Sequence, residues 1–134
     1  MKRNSMRRRI CLAAVACVAA AQAVSAVPAG ATVAGHAIQL RYCWSLTTFR
    51  PTCPLATLNL YANGTVANMP GSSWTETPTT LTISFVNPTP NVQYTSYTGT
   101  MTTSTPLPCY AGTMVANRLL SPPTMTGVWQ GCIQ

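Results

Sequence analysis

Aspartate is absent from this 134-residue chain, and glutamate and histidine each occur once, as Glu76 and His36. These scarcities exclude much chemistry. Glycoside hydrolysis of the common kind uses a pair of carboxyl groups, and the chain has one acidic residue. A serine-type triad needs a base and an acid that meet at a nucleophile. Only His36 and Glu76 are there to supply them, and no nucleophile motif accompanies either. A metal centre lacks ligands. The expectation is a protein that is not an enzyme and needs no cofactor, with His36 and Glu76 as ordinary exposed side chains.

Negative charge is scarce throughout, whereas positive charge is concentrated at one end. The formal charge of the chain is +7, but Lys2, Arg3, Arg7, Arg8 and Arg9 all lie in the opening MKRNSMRRRI. The apolar run ICLAAVACVAAAQAV follows, and then the small residues Val24, Ser25 and Ala26. A basic segment, an apolar segment and small residues before a cut make up a secretory signal peptide. The run is short and alanine-rich for a membrane span. Residues 1–26 are therefore expected to be a leader, and the mature protein to be secreted or periplasmic with no stable membrane span. Cys17 follows small residues, as a lipid-attachment cysteine does, but the apolar run continues past it. Beyond the leader, Arg41, Arg50 and Arg118 stand against Glu76, a formal charge of +2. Three scattered arginines make no basic stripe, which excludes a nucleic-acid partner.

About 108 residues remain, enough for one domain with one core. Four cysteines are among them: Cys43, Cys53, Cys109 and Cys132. In an exported chain an even number implies disulfides. A zinc site would favour close pairs such as C-x2-C, whereas the nearest two here are ten residues apart. Of three possible pairings, Cys43 with Cys53 and Cys109 with Cys132 is preferred. The first pair would brace the loop LTTFRPT. The second would follow from an antiparallel hairpin around NRLLSPPT, in which Cys109 opposite Cys132 puts Met114 opposite Gly127. The rival joins Cys43 to Cys132, as neighbouring first and last strands of a closed barrel would allow, and leaves Cys53 to Cys109.

No helical period runs for a useful length after the leader. Alternation with a period of two does. Ile38, Leu40, Tyr42, Trp44 and Leu46 share one strand face, and Gln39, Arg41, Cys43, Ser45 and Thr47 share the other. Leu58 and Leu60 alternate with threonine and asparagine, as do Leu81, Ile83 and Phe85 with threonine and serine. Asn63 and Gly64 are a strong hairpin signal. Residues 27–36 read as a flexible arm and 37–134 as a single all-β domain. It has about eight short strands, arranged as an antiparallel meander barrel. YTGTM, YAGTM and MTGVW place Gly99, Gly112 and Gly127 on three successive strands. Glycine there is expected to bend the strands and let the sheet close.

LNLYANGTV, GSSWTETPTTLTISF, YTGTM, YAGTM and TGVWQG resemble the small exported lipocalin-like (calycin-type) β-barrels of uncharacterised bacterial families. Lipocalins carry G-x-W near the first strand, whereas here Gly35 is followed by His36 and Ala37. The resemblance implies a barrel more than it implies a ligand. Tyr42, Trp44, Leu60 and Phe85 are the expected lining of its interior. Tyr61, Trp74, Tyr94, Tyr97 and Tyr110 add aromatic surface. The expected function is to bind a small hydrophobic ligand in or at the mouth of the barrel. The alternative is an exported protein-interaction module, such as a protease inhibitor that inserts residues 27–35 as a strand or plug.

Overall fold

A computed structural model describes residues 32–134. The expected leader, Cys17 and the first residues of the arm lie outside the described residues.

Among the described residues seven strands make up the fold: β1 Ala37–Trp44, β2 Leu55–Asn59, β3 Ser73–Glu76, β4 Thr80–Thr89, β5 Val92–Thr103, β6 Cys109–Arg118 and β7 Thr124–Ile133. They form one antiparallel sheet in the order β2-β1-β7-β6-β5-β4-β3, curled into a half-barrel. The period of two explains the curl. Ile38, Leu40, Leu81, Ile83, Met114 and Trp129 are at most 2% exposed and all face inward. Thr98, Thr100, Thr113 and Thr126 face out to solvent, where a β-branched side chain still suits a strand. A sheet apolar on one face buries that face by wrapping around it.

The count is seven strands rather than about eight. After the turn at Gly64, where φ is +83°, the returning segment makes only an isolated bridge between Leu60 and Val66. Asn63 closes this turn with its side chain, Oδ1 accepting from the amide and the hydroxyl of Thr65. Pro70 and Gly71 then turn the chain again before a ladder can grow.

The first and last strands are neighbours, Tyr42 lying opposite Trp129, yet the sheet does not close there, because β2 lies beyond β1. The free edges are β2 and β3. Near Asn59 the seam between them is spanned by backbone bonds, Ala67 to Asn59 at 2.9 Å and Trp74 to Gly64 at 2.8 Å. β3 pairs only with residues 81–84 of β4. The remainder of β4, from Phe85 on, has no strand on that side.

No β-bulge falls at Gly99, Gly112 or Gly127. Pairing runs regularly through all three, and the register shifts of β5 lie elsewhere, between Val92 and Tyr94 and between Met101 and Thr103. Their role is space. Gly99 and Gly112 lie opposite each other, and Gly112 lies opposite Trp129. The Trp129 indole crosses this bare strip, and its N–H points at the carbonyls of Thr113 (3.1 Å) and Thr98 (3.4 Å). A Cβ on Gly99 would strike the indole, and one on Gly112 would strike the Thr98 carbonyl.

Two disulfides join Cys43 to Cys53 and Cys109 to Cys132, with Cα separations of 5.3 and 4.0 Å. Cys109 lies opposite Cys132, and Met114 opposite Gly127, in one hairpin. Cys43 points to the outer face but is only 1% exposed. The loop after β1 folds over it, held by the disulfide and by Arg41, which donates to the carbonyl of Cys53 at 2.9 Å.

Residues 32–36, the described part of the arm, are anchored rather than free. Val33 is fully buried in the core, and the Gly35 amide donates to the Leu60 carbonyl at 2.8 Å. Glu76 is the other anchor. Its Oε2 accepts from the Thr32 hydroxyl and the Val33 amide, both at 3.1 Å, and its Oε1 from the Tyr110 hydroxyl at 2.9 Å. The carboxylate expected to be exposed and idle thus ties the arm, β3 and β6 together and seals one end of the half-barrel.

Candidate ligand-binding site

Because Val33 and Glu76 fill one end, the free volume lies towards the other. A cavity of about 320 Å³ sits there. Inward positions near the ends of the strands build it: Tyr42 and Trp44 from β1, Ala56 and Leu58 from β2, Phe85 from β4, Thr95 and Tyr97 from β5, Ala116 from β6 and Met125 from β7. Met69, Pro88 and Val92 come from the turns and strand ends at its mouth. Ala56 and Ala116 leave the room that larger side chains would occupy. The stretch of β4 from Phe85, paired with β5 on one side only, and the start of β2 flank the same cavity, so it opens towards the seam as well as the end.

Tyr97 is the centre of its aromatic wall. Trp44, Phe85 and Trp129 approach it edge to face, with ring centroids 6.4, 5.8 and 5.9 Å away. Such contacts hold rings in fixed orientations and add about 0.5–1.5 kcal/mol per pair beyond burial. Burial, and secondarily the nearby phenol of Tyr42, pushes the Tyr97 hydroxyl up to about 12, so it stays protonated at any physiological pH. Tyr110 is pushed up too, by burial first and then by its bond to Glu76 and the charge of that carboxylate.

Of the four residues expected to line an interior site, Tyr42, Trp44 and Phe85 come together around the cavity. Leu60 does not. It is 1% exposed and packs in the core towards the sealed end, where its amide bonds to His36. Tyr97 and Tyr110, read from sequence as aromatic surface, are 8% and 1% exposed.

Thr95, Met69, Ala116 and Met125 are lining residues that the sequence did not mark. Strand β5 shows why. VQYTSYTGTMTT has tyrosine in both alternating sets, so composition does not tell inside from outside, and the irregularity between Val92 and Tyr94 breaks the phase. Met69 comes from a turn, where no period applies.

The fold thus defines a small all-β half-barrel with an apolar cavity. In comparisons with known proteins, no family model, no curated protein and no solved structure matches the chain.

Proposed function

We propose that this chain is an exported, non-catalytic binding protein of lipocalin-like type that holds a small hydrophobic ligand at the mouth of its half-barrel. The cavity carries the reading. At about 320 Å³ it falls within the range of small-molecule sites, roughly 300–1,000 Å³ and mostly apolar. A barrel evolved only for its outer surface would gain stability by filling this space, since unfilled core volume is destabilising. Two disulfides accord with an oxidising compartment. The inhibitor reading has less support, because it requires the arm to be free, whereas Val33 is buried in the protein's own core.

Native mass spectrometry of the protein purified from its own host tests the proposal. The expected result is a retained small molecule that is released by mild denaturation. Protein that carries no such mass, and takes up no apolar dye, overturns it.

A further inference from the structure

We propose that the cavity selects an uncharged, compact two-ring molecule bearing a hydroxyl or similar hydrogen-bonding group. This deepens the reading above and rests on it. Three features support the assignment, and each is independent of what the natural ligand is called.

Size is the first. An engineered cavity of about 150 Å³ holds one benzene, so a space of about 320 Å³ accommodates about twice that, roughly a dozen non-hydrogen atoms. A long acyl chain exceeds it.

Charge is the second. Among the described residues that line it, none is acidic, basic or histidine. The one carboxylate, Glu76, is tied to Tyr110, Thr32 and Val33 at the opposite end, and Arg41 is tied to Cys53 on the outer face. An ionised ligand group would lose its hydration with no counter-charge in return, which is strongly unfavourable.

The third is the placement of aromatic and polar groups. Trp44 and Phe85 meet Tyr97 edge to face, a preset geometry that continues naturally onto another ring. Tyr42, Thr95 and Tyr97, each of which carries a hydroxyl, are among the lining residues. A few polar groups on an apolar wall orient a ligand without demanding charge. Tyr97 remains a donor because its proton is held to about pH 12. Met69 and Met125 add flexible thioethers to the lining, which adapt to an irregular outline.

The test is calorimetric titration of the purified, disulfide-bonded protein at neutral pH with naphthalene, β-naphthol and β-naphthoate, which share one ring system. Naphthalene and β-naphthol are expected to bind, β-naphthol more tightly, and β-naphthoate at least about tenfold more weakly than β-naphthol. Tyr97→Phe keeps the ring and removes the hydroxyl. It is expected to weaken β-naphthol roughly fivefold, one hydrogen bond's worth, and to leave naphthalene unchanged. Equal or tighter binding of β-naphthoate overturns the inference, and abolition of that binding by Arg118→Ala, at a residue opposite Val92 of the lining, would assign the site to anions instead. Equal weakening of naphthol and naphthalene by Tyr97→Phe overturns the role of the hydroxyl. If none of the three probes binds while the protein retains a small molecule or takes up an apolar dye, the inference fails and the binding reading stands; if none of these occurs, both fail.

Discussion

The hydroxyl of Tyr110 donates a 2.9 Å hydrogen bond to Oε1 of Glu76, which joins the middle of the sheet to its short edge strand. The single carboxylate of the chain therefore serves the fold. Glu76→Ala would leave a buried phenol and the amide of a buried residue without their acceptor. A loss of about 2–4 kcal/mol is expected, since each unsatisfied buried group costs about 1–3 kcal/mol. Glu76→Gln keeps acceptor oxygen and should lose about half as much. Urea unfolding of both variants decides, and a loss below about 0.5 kcal/mol for Glu76→Ala would show that the latch contributes little.

Gly112→Ala should destabilise the fold more than Gly35→Ala. At Gly112 a methyl group meets the backbone of Thr98 and Gly99, which has no room to yield. Overpacking of this kind costs about 1–3 kcal/mol and sometimes more, and disruption of the central sheet is expected. At Gly35 there is open space but φ is +78°, and the left-handed conformation alone costs a residue with a Cβ about 1–2 kcal/mol. Soluble yield and thermal unfolding separate the two. Equal effects would show that the space over Gly112 is not what matters.

The disulfides close loops of different length, with sequence separations of 10 for Cys43 to Cys53 and 23 for Cys109 to Cys132. In the chain-entropy model these correspond to about 2.7 and 3.4 kcal/mol. Paired Cys→Ala variants should both be destabilised, the Cys109 and Cys132 pair by slightly more. Denaturant midpoints check the order, and the reverse order would mean that the loop packed over Cys43 outweighs chain entropy.

Alkali should unfold the protein through its buried phenols. Tyr97 titrates near 10 in an unfolded chain and is raised to about 12 in the fold. Between these values the unfolded state has given up a proton that the folded state still holds, so stability falls as pH rises. The contribution is complete below about pH 10 and gone above about pH 12, and two pH units correspond to about 3 kcal/mol. Tyr110, shifted in the same direction, adds to the fall. Tyr97→Phe should flatten the stability curve between about pH 10 and 12. An unchanged slope would mean that Tyr97 ionises without unfolding the protein.

Much of the architecture was legible in the residues because strand alternation is a local code. Ile38 with Leu40, and Leu81 with Ile83, mark inward faces whatever the remainder of the chain does, and the hairpin that places Cys109 opposite Cys132 is a matter of register alone. A chain of alternating threonine and aliphatic residues has few ways to bury its apolar half other than an antiparallel, curled sheet. Three-quarters of the expected lining set meets at the cavity for the same reason: Tyr42, Trp44 and Phe85 carry their direction in their parity.

The rest depended on distances between elements that no local pattern encodes. Seam position follows from β2 pairing outside β1, so the free edges are β2 and β3 instead of the two chain ends. Whether Leu60 fills the core or faces the cavity is decided by where Val33 and the 60–66 hairpin come to rest. That Gly99 and Gly112 make room for an indole becomes visible only when Trp129 is seen two strands away from Gly99. An exposed glutamate and a latching glutamate look identical in sequence. Only the fold brings Thr32, Val33 and Tyr110, 44, 43 and 34 residues away, to the same carboxylate, because a hydrogen bond is a short-range force and its partners are chosen by the packing of the whole sheet.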